Sequence, residues 1–310
     1  MKFKSKKNKY SNQRFFCLKK PSLPNFKNQK FKTIYKITNK KILSGGLRLK
    51  NVYKSSYKNY PLISVIIPNL NGKYLEKTID SVIKQKYPNI EVIVIDGGSS
   101  KKNISCLNSK FKNDIDYWIS GKDKGIYDGW NKGLRLSLGD YVGIINSNDY
   151  YFPKAFDYLI RYIEKYKNYE FILGAIKKEK IYAGYRPKDI YLNFNIYPST
   201  VIGFFIKLKS QKKVGLYNLK YKCSSDYDMF YRIIVKEKML GIPTKHNEVF
   251  GKFELGGYSS SLTFFDHLFE EIRIRYDNGQ NYIVLLYIIV GRSLVKLIYT
   301  FIKKLKKLFH

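Results

Sequence analysis

The sequence has few of the residues that build disulfides and soft metal sites. Of its 310 residues, only three are cysteines and three are histidines. Cys17, Cys106 and Cys223 form no CxxC pair, so we expect ordinary, mostly buried thiols. A His-rich metal site is excluded, and any metal must be held by oxygen ligands.

Acidic residues are also scarce. Only 24 Asp and Glu stand against 58 Lys and Arg, which gives a formal net charge of +34, and no acid precedes Glu76. Such a charge attracts nucleic acid or an anionic membrane. The abundance of Lys, Asn, Ile and Tyr also fits an AT-rich coding bias, so how much of the charge is functional stays open. Because no aromatic-interleaved or recognition-helix motif accompanies it, we expect no nucleic-acid partner.

The two ends of the chain differ. The N-terminus has no apolar run of signal-peptide length, so we expect a cytosolic protein. Residues 282–309 are apolar, but Arg292 and Lys296 interrupt them too early for a clean transmembrane helix of about 20 residues. We interpret this segment as a basic amphipathic helix on an anionic membrane surface, peripheral to the inner face. The alternative is a core-packing helix with a solvated basic tail.

Three apolar segments in the middle of the chain each end in a polar cluster. The clusters are Pro68–Asn71, Asp96–Ser100 and Asn146–Asp149. Helical periodicity between the segments predicts βαβ units in an open, mostly parallel α/β sheet. Ligands of such sheets bind outside the carboxyl ends of the strands. The sequence therefore predicts a nucleotide-type site there.

We divide the chain into three parts. Residues 1–58 are predicted to be a basic tail and approach segment, 59–260 the α/β domain, and 261–310 a helical, membrane-associating segment. The first part is polar, with little sustained periodicity, and no internal repeat is evident.

Three acids could carry chemistry, and each has a simpler alternative. Asp96 could accept hydrogen bonds from a base or ribose, or could cap the following turn. Asp149 could meet a divalent cation on a diphosphate, or lie in an ordinary Asn-rich turn. Asp226 could take a proton from an acceptor hydroxyl, although by position alone it would cap the helix that it opens.

Four motifs occur in a specific order: 64–71 (SVIIPNLN), 91–99 (EVIVIDGGS), 123–133 (DKGIYDGWNKG) and 139–149 (GDYVGIINSND). Together they resemble the family 2 glycosyltransferases of GT-A fold. The resemblance covers about residues 61–257, since Asp226 and the segment Phe253-x-x-Gly256-Gly257-x-Ser259 are similar to that family's acceptor half.

The resemblance implies a mixed, mostly parallel sheet flanked by helices. It also implies transfer of a sugar, with inversion, from a nucleotide-sugar, usually a UDP-sugar. We expect a glycan or lipid-linked acceptor in surface polysaccharide biosynthesis. By the same resemblance Asp226 is the general base, an assignment that outweighs capping. The residues it assigns to nucleotide-sugar binding are Pro68, Asn71, Asp96, Asp128, Asn131, Lys132, Asn146 and Asn148.

The sequence departs from that family in its metal motif. Asn146 and Asn148 occupy the outer places of the DxD motif, so neutral amides stand where carboxylates are expected. We expect Mg²⁺ or Mn²⁺ to be held weakly, by Asp149 and Asn148, and to be required less strictly. Lys124 and Lys132 could neutralise diphosphate charge instead. The alternative function is a catalytically impaired relative that binds nucleotide-sugars or acts as a scaffold.

Overall fold

The structure is a computed structural model that describes residues 3–5, 15–39, 41–57, 60–193, 196, 201–254 and 263–308. Fourteen strands and eight α-helices lie in these ranges. The strands are β1 (Phe3–Ser5), β2 (Phe15–Cys17), β3 (Leu43–Gly45), β4 (Ile63–Asn69), β5 (Ile90–Asp96), β6 (Tyr117–Ser120), β7 (Tyr141–Ile144), β8 (Tyr150–Tyr151), β9 (Phe171–Leu173), β10 (Ala175–Lys177), β11 (Ile181–Tyr182), β12 (Phe204–Lys207), β13 (Gly241–Pro243) and β14 (Val249–Lys252). The helices are α1 (Leu75–Ile83), α2 (Lys101–Asn108), α3 (Ile126–Leu136), α4 (Ala155–Lys165), α5 (Leu208–Val214), α6 (Ser225–Tyr231), α7 (Phe264–Asp277) and α8 (Tyr282–Leu308).

The centre of the fold is an eight-stranded sheet in the order β13-β9-β12-β7-β4-β5-β6-β3. Strands β7, β4, β5 and β6 are parallel to one another, whereas β12 pairs antiparallel with β7 and β3 pairs antiparallel with β6. Strands β4 and β5 are buried at every position, as expected for central parallel strands covered on both faces.

Helices cover both faces of this sheet. Alternate residues of β4 point to opposite faces, so Val65 and Ile67 pack with α1, α2 and α4, whereas Ile66 packs with α3 and α6. The predicted strands at 63–67, 92–95 and 141–145 are confirmed, as is the mixed, mostly parallel sheet flanked by helices.

The part of residues 1–58 that the structure describes packs on this domain. Strand β3 pairs with β6 at the edge of the main sheet. Arg48 forms a buried ion pair of 2.5 Å with Glu91, and Lys54 forms one of 2.7 Å with Asp116. The polar composition of the segment gave no sign of this packing, because the carboxylates that meet its cations lie more than 40 residues away in sequence.

Helix α8 lies against the domain along one side. Leu285 and Ile288 are buried, and Arg292 forms an ion pair with Glu271 of α7. The other apolar side chains of α8 are mostly exposed. By length and composition alone, the span Tyr282–Ile302 is long and apolar enough to cross a membrane.

Candidate active site

Asp96 lies at the carboxyl end of β5 and is only 1% exposed. Its carboxylate accepts hydrogen bonds from Asn69 Nδ2 and Ser120 Oγ, both at 2.6 Å. The backbone N–H groups of Ser99 and Gly98 donate to it at 2.9 and 3.1 Å. The carboxylate therefore ties the ends of β4, β5 and β6 together, and direct contact with a nucleotide stays a prediction.

Asn71 joins the loops that follow β4 and β5. Its backbone has a left-handed φ of 50°, which asparagine tolerates better than most residues. Its N–H donates to Ser99 Oγ at 2.7 Å, and its Oδ1 accepts from Ser100 N at 3.1 Å. Pro68, one residue before the strand ends, is buried in β4. Both loops therefore form one rigid edge above the sheet.

The first turn of α3 carries an ion pair at the same edge. Asp128 Oδ2 lies 2.9 Å from Lys132 Nζ and accepts a hydrogen bond from Lys124 N at 3.1 Å. Sequence reasoning overlooked Asp123, although it opens the third motif. A Cβ added to Gly97 would lie 2.6 Å from Asp123 Oδ2, so this carboxyl faces the loop after β5. Burial raises the pKa of Asp123, and the charges of Asp128 and Asp96 add to the rise.

Asn131 makes a structural contact that the resemblance does not imply. Its Nδ2 donates to Tyr217 O, and its Oδ1 accepts from Tyr217 N, both at 2.8 Å. The buried amide therefore fastens α3 to the chain segment that precedes α6, and any contact with a nucleotide-sugar stays a prediction.

Asp226 lies in the first turn of α6. Its Oδ1 accepts a hydrogen bond from Tyr227 N at 2.9 Å, which satisfies one free N–H group of that turn, so the capping interpretation holds in part. The Tyr127 side chain lies close enough to the carboxyl to lower its pKa in part. Burial raises the pKa of Asp226 to about 6, and the charge of Glu270 adds to the rise. A carboxylate with this pKa is suited to general-base chemistry near neutral pH.

Tyr127 connects the two halves of the site, and sequence reasoning missed it. It belongs to α3, beside Asp128, yet its side chain reaches Asp226 on α6. Its ring stacks on Tyr217 with centroids 6.0 Å apart and meets Trp130 edge-on at 5.0 Å. The only signal was an aromatic residue inside the third motif.

Glu270 of α7 positions the segment that leads into α6. It accepts hydrogen bonds from Lys222 N at 2.5 Å, from Cys223 N at 3.0 Å and from Cys223 Sγ at 2.7 Å. Burial alone would raise the pKa of Glu270, but these hydrogen bonds hold it below the usual range of a glutamate. An ionised Glu270 therefore lies close to Asp226 and fixes the backbone before it.

The cluster after β7 places its three predicted residues in different surroundings. Asn148 is exposed, and its Oδ1 accepts from Tyr74 N at 3.4 Å. Asp149 is 2% exposed, and its Oδ1 accepts from Glu254 N at 3.0 Å. Within the described residues, Asp149 Oδ2 and Asn146 Oδ1 are buried acceptors without a hydrogen-bond partner. Burial raises the pKa of Asp149 to about 7, so this acid is partly protonated at neutral pH.

A divalent cation fits this cluster only in part. No group of three His, Cys, Asp or Glu side chains suited to a metal occurs in the described part of the chain. The oxygens at hand are the exposed amide of Asn148, the buried amide of Asn146 and the buried carboxyl of Asp149. A hard cation here would take most of its ligands from phosphate and water.

Comparison with known proteins decides the family. Residues 64–225, just over half of the chain, match the sequence profile of glycosyl transferase family 2. The chain belongs to glycosyl transferase family 2. The matched range contains the strand-end network, which is the set of hydrogen bonds around Asp96 at the ends of β4, β5 and β6. It ends one residue before Asp226.

Two bacterial proteins are among the curated relatives of this glycosyltransferase. An uncharacterized glycosyltransferase of Rickettsia typhi is 29% identical over 189 residues, which are 56% of this chain and 59% of the relative. A candidate colanic acid biosynthesis glycosyl transferase of Escherichia coli K12 is 23% identical, with 72% of this chain and 85% of that protein covered. The chain thus spans less than two thirds of the rickettsial relative.

Solved structures agree on the fold of this glycosyltransferase. S. aureus TarS 1–349, in complex with UDP-GlcNAc, has a TM-score of 0.55 at 15% identity, covering 74% of this chain and 71% of that one. A mannosyltransferase from Pyrobaculum calidifontis, in complex with GDP-Man and Mn²⁺, has a TM-score of 0.54 at 15% identity, covering 74% and 66%. The expected GT-A fold is confirmed, including the apolar C-terminal helix of this chain.

Proposed function

We propose that this family 2 glycosyltransferase moves a sugar from a UDP-sugar to a glycan or lipid-linked acceptor, with inversion at the anomeric carbon. The surroundings of Asp226 carry the proposal. This acid lies beside the α3 edge, its pKa is raised to about 6, and Tyr127 and Glu270 fix its position. A helix cap alone would not need a carboxyl whose ionised form is disfavoured by burial.

The donor would bind at the edge formed by the loops after β4 and β5 and the first turn of α3. Pro68, Asn71 and Asp96 are proposed to line the nucleotide pocket, and Asp128, Asn131 and Lys132 to lie beside the sugar and diphosphate. The UDP-GlcNAc complex of the similar TarS structure supports a UDP-sugar of the hexosyl or N-acetylhexosaminyl type. Because the similar mannosyltransferase structure is a complex with GDP-Man, a GDP-sugar is the alternative donor to test against a UDP-sugar.

In the proposed reaction, Asp226 accepts the proton of the acceptor hydroxyl as that oxygen attacks the anomeric carbon. The bond from the anomeric carbon to the diphosphate oxygen breaks at the same time, and the nucleoside diphosphate leaves with the bonding electrons. Attack from the side opposite the leaving group inverts the anomeric carbon. Lys124 and Lys132 are proposed to offset the charge that develops on the diphosphate.

A divalent cation would supply further charge neutralisation at the diphosphate when bound. Asn148, Asn146 and Asp149 are the residues proposed to lie near it, with Asn148 the most accessible. Because amides replace two carboxylates, we expect activity in EDTA to fall by less than about tenfold. Activity that is abolished by EDTA and restored only by Mn²⁺ or Mg²⁺ would contradict this reduced dependence.

We further propose that the enzyme is peripheral to an anionic membrane, at its cytoplasmic face, in the synthesis of a cell-surface polysaccharide. Leu285, Ile288, Arg292 and Lys296 are spaced by three or four residues and share one face of α8. The domain packs along this face, so a crossing helix would draw α7 into hydrocarbon. An in-plane helix avoids that cost, and removal of residues 281–310 should release the protein from membranes.

The second candidate is a nucleotide-sugar-binding relative without turnover, favoured by the amides at Asn146 and Asn148. Product release from a panel of UDP- and GDP-sugars, with and without acceptor, separates the two. Transfer from one UDP-sugar, with inverted configuration in the product, supports the enzyme. Donor binding without product from any member of the panel supports the second candidate.

A further inference from the structure

A groove of about 580 Å³ lies between α8, the start of α7 and the chain at Leu192. It is separate from the strand-end site, and neither the donor nor the proposed base uses it. Its walls combine apolar side chains with two cations, Arg292 and Lys296. Gly291 leaves its floor open, because a Cβ added there would meet nothing within 4 Å.

The charges around the groove leave an excess of positive charge. Arg292 pairs with Glu271 and donates from Nη2 to Leu192 O at 2.8 Å. Glu271 is shared, since Arg275 also pairs with it at 2.8 Å. Lys296 Nζ lies 5.4 Å from the Phe264 ring centroid, and no carboxylate of the described chain lies within ion-pair distance of it. Of the two cations that line the groove, Arg292 shares its carboxylate with the buried Arg275 and Lys296 has no carboxylate partner among the described residues, so the groove favours an anion.

The walls favour an amphiphile over a free anion. Ile288, Val295 and Tyr299 line the groove, and they continue into the exposed apolar surface of α8. Val295 is 67% exposed and Tyr299 is 62% exposed, which is unusual for contiguous apolar residues of a water-facing helix. A molecule with a phosphate at one end and hydrocarbon at the other would satisfy both parts of the groove.

We propose that this groove binds the phosphate of an anionic membrane phospholipid beside Lys296 and Arg292. The upper parts of its acyl chains lie along the apolar wall of α8. The inference rests on the membrane attachment proposed above and deepens it, because it replaces diffuse charge attraction with one defined lipid site.

Two variants separate a lipid site from diffuse attraction. Gly291→Leu fills the groove without changing charge, and Thr300→Leu places the same side chain on α8 outside the groove. Lys296→Gln removes the groove cation that has no carboxylate partner in the described part of the chain. Its control, Lys102→Gln, removes an exposed cation on α2. Each full-length protein is floated with phosphatidylcholine vesicles, with and without phosphatidylglycerol.

We expect wild type to float more with the anionic vesicles. Gly291→Leu and Lys296→Gln should each lower that partitioning by about fivefold or more. A fivefold change corresponds to the loss of about 1 kcal/mol of binding free energy. The two control variants should stay within about twofold of wild type. Sugar transfer to a soluble acceptor should be unchanged in all four, since none of these residues belongs to the proposed active site.

Several results would overturn the lipid site. If wild type floats but Gly291→Leu floats equally well, attachment is diffuse and the lipid site is wrong while membrane attachment stands. If wild type binds neither vesicle, both the site and the proposed membrane attachment fail. Displacement by millimolar glycerol phosphate would assign the groove to a free anion. Binding to vesicles with polyprenyl phosphate, but not with phosphatidylglycerol, would assign it to a lipid-linked acceptor.

Discussion

The buried and half-buried carboxylates of this glycosyltransferase fall into two regions with opposite properties. Around β5 and β6, Glu91 and Asp116 pair with buried cations, and Asp96 is met by side-chain and backbone donors from three strand ends. At the ends of the site, Asp226 and Asp149 receive fewer hydrogen bonds, and burial raises their pKa to about 6 and about 7.

The difference teaches which acids hold the fold together. A buried carboxylate that is fully paired keeps its charge and fixes its neighbours. A buried carboxylate with few donors is disfavoured when ionised and costs stability near neutral pH. The fold does not need the second kind, so Asp226 and Asp149 are the better candidates for chemistry and for the donor's charged groups.

The largest expected effect breaks an ion pair of the first region. Arg48→Met leaves Glu91 buried without its cation and should lower the free energy of unfolding by about 3 to 5 kcal/mol. Lys110, whose ammonium pairs with Glu76 and Asp80 on the surface, is the matched control. Lys110→Met should cost less than about 1 kcal/mol in the same urea titration. Equal losses would contradict the claim that the buried Arg48–Glu91 pair stabilises the fold more than an exposed ion pair does.

A smaller loss is expected from the strand-end network. Asp96→Asn places an amide donor opposite the donors of Ser120 and Ser99 and should cost about 1 to 3 kcal/mol of unfolding free energy. Asp157 is exposed on α4, so Asp157→Asn should change stability by less than about 0.5 kcal/mol. An Asp96→Asn variant as stable as wild type, with weaker donor binding, would place Asp96 in the second region.

The acid limb of the pH profile tests the second region. A base must be ionised, so kcat/KM should fall about tenfold for each pH unit below the pKa of about 6. The Asp149→Asn variant should keep this limb, which assigns it to Asp226 and not to the other raised acid. A profile that is flat down to pH 4.5, in a protein still folded, would argue against this base.

The last expected effect is a gain in stability rather than a loss. The folded-state pKa of Asp149 lies above its unfolded value, so the folded protein binds the extra proton and its stability falls as pH rises from about 4 to about 7. Asp149→Asn should remove this loss and gain up to about 4 kcal/mol at pH 8, the equivalent of about three pKa units, but gain nothing at pH 4. Thermal unfolding at both pH values measures it, and a loss of stability at pH 8 would contradict the account.

The sequence predicted the parts of the fold that local pattern determines. Apolar runs that end in Pro68–Asn71 and Asp96–Ser100 identified β4, β5 and the edge where they end. The pairing of Arg48 with Glu91 was not predictable, because ion-pair partners distant in sequence leave no periodic signal. Tyr127 was missed for a similar reason: only the folded chain brings α3 to Asp226. Domain boundaries and the roles of the site residues stay predictions.

The most direct test of the central claim measures turnover and donor binding together in Asp226→Asn. This change keeps the size of the side chain and removes its ability to accept a proton. We predict that turnover falls by at least about 100-fold while the donor dissociation constant stays within about threefold. Turnover close to that of wild type would show that Asp226 is only a helix cap and that another residue is the base.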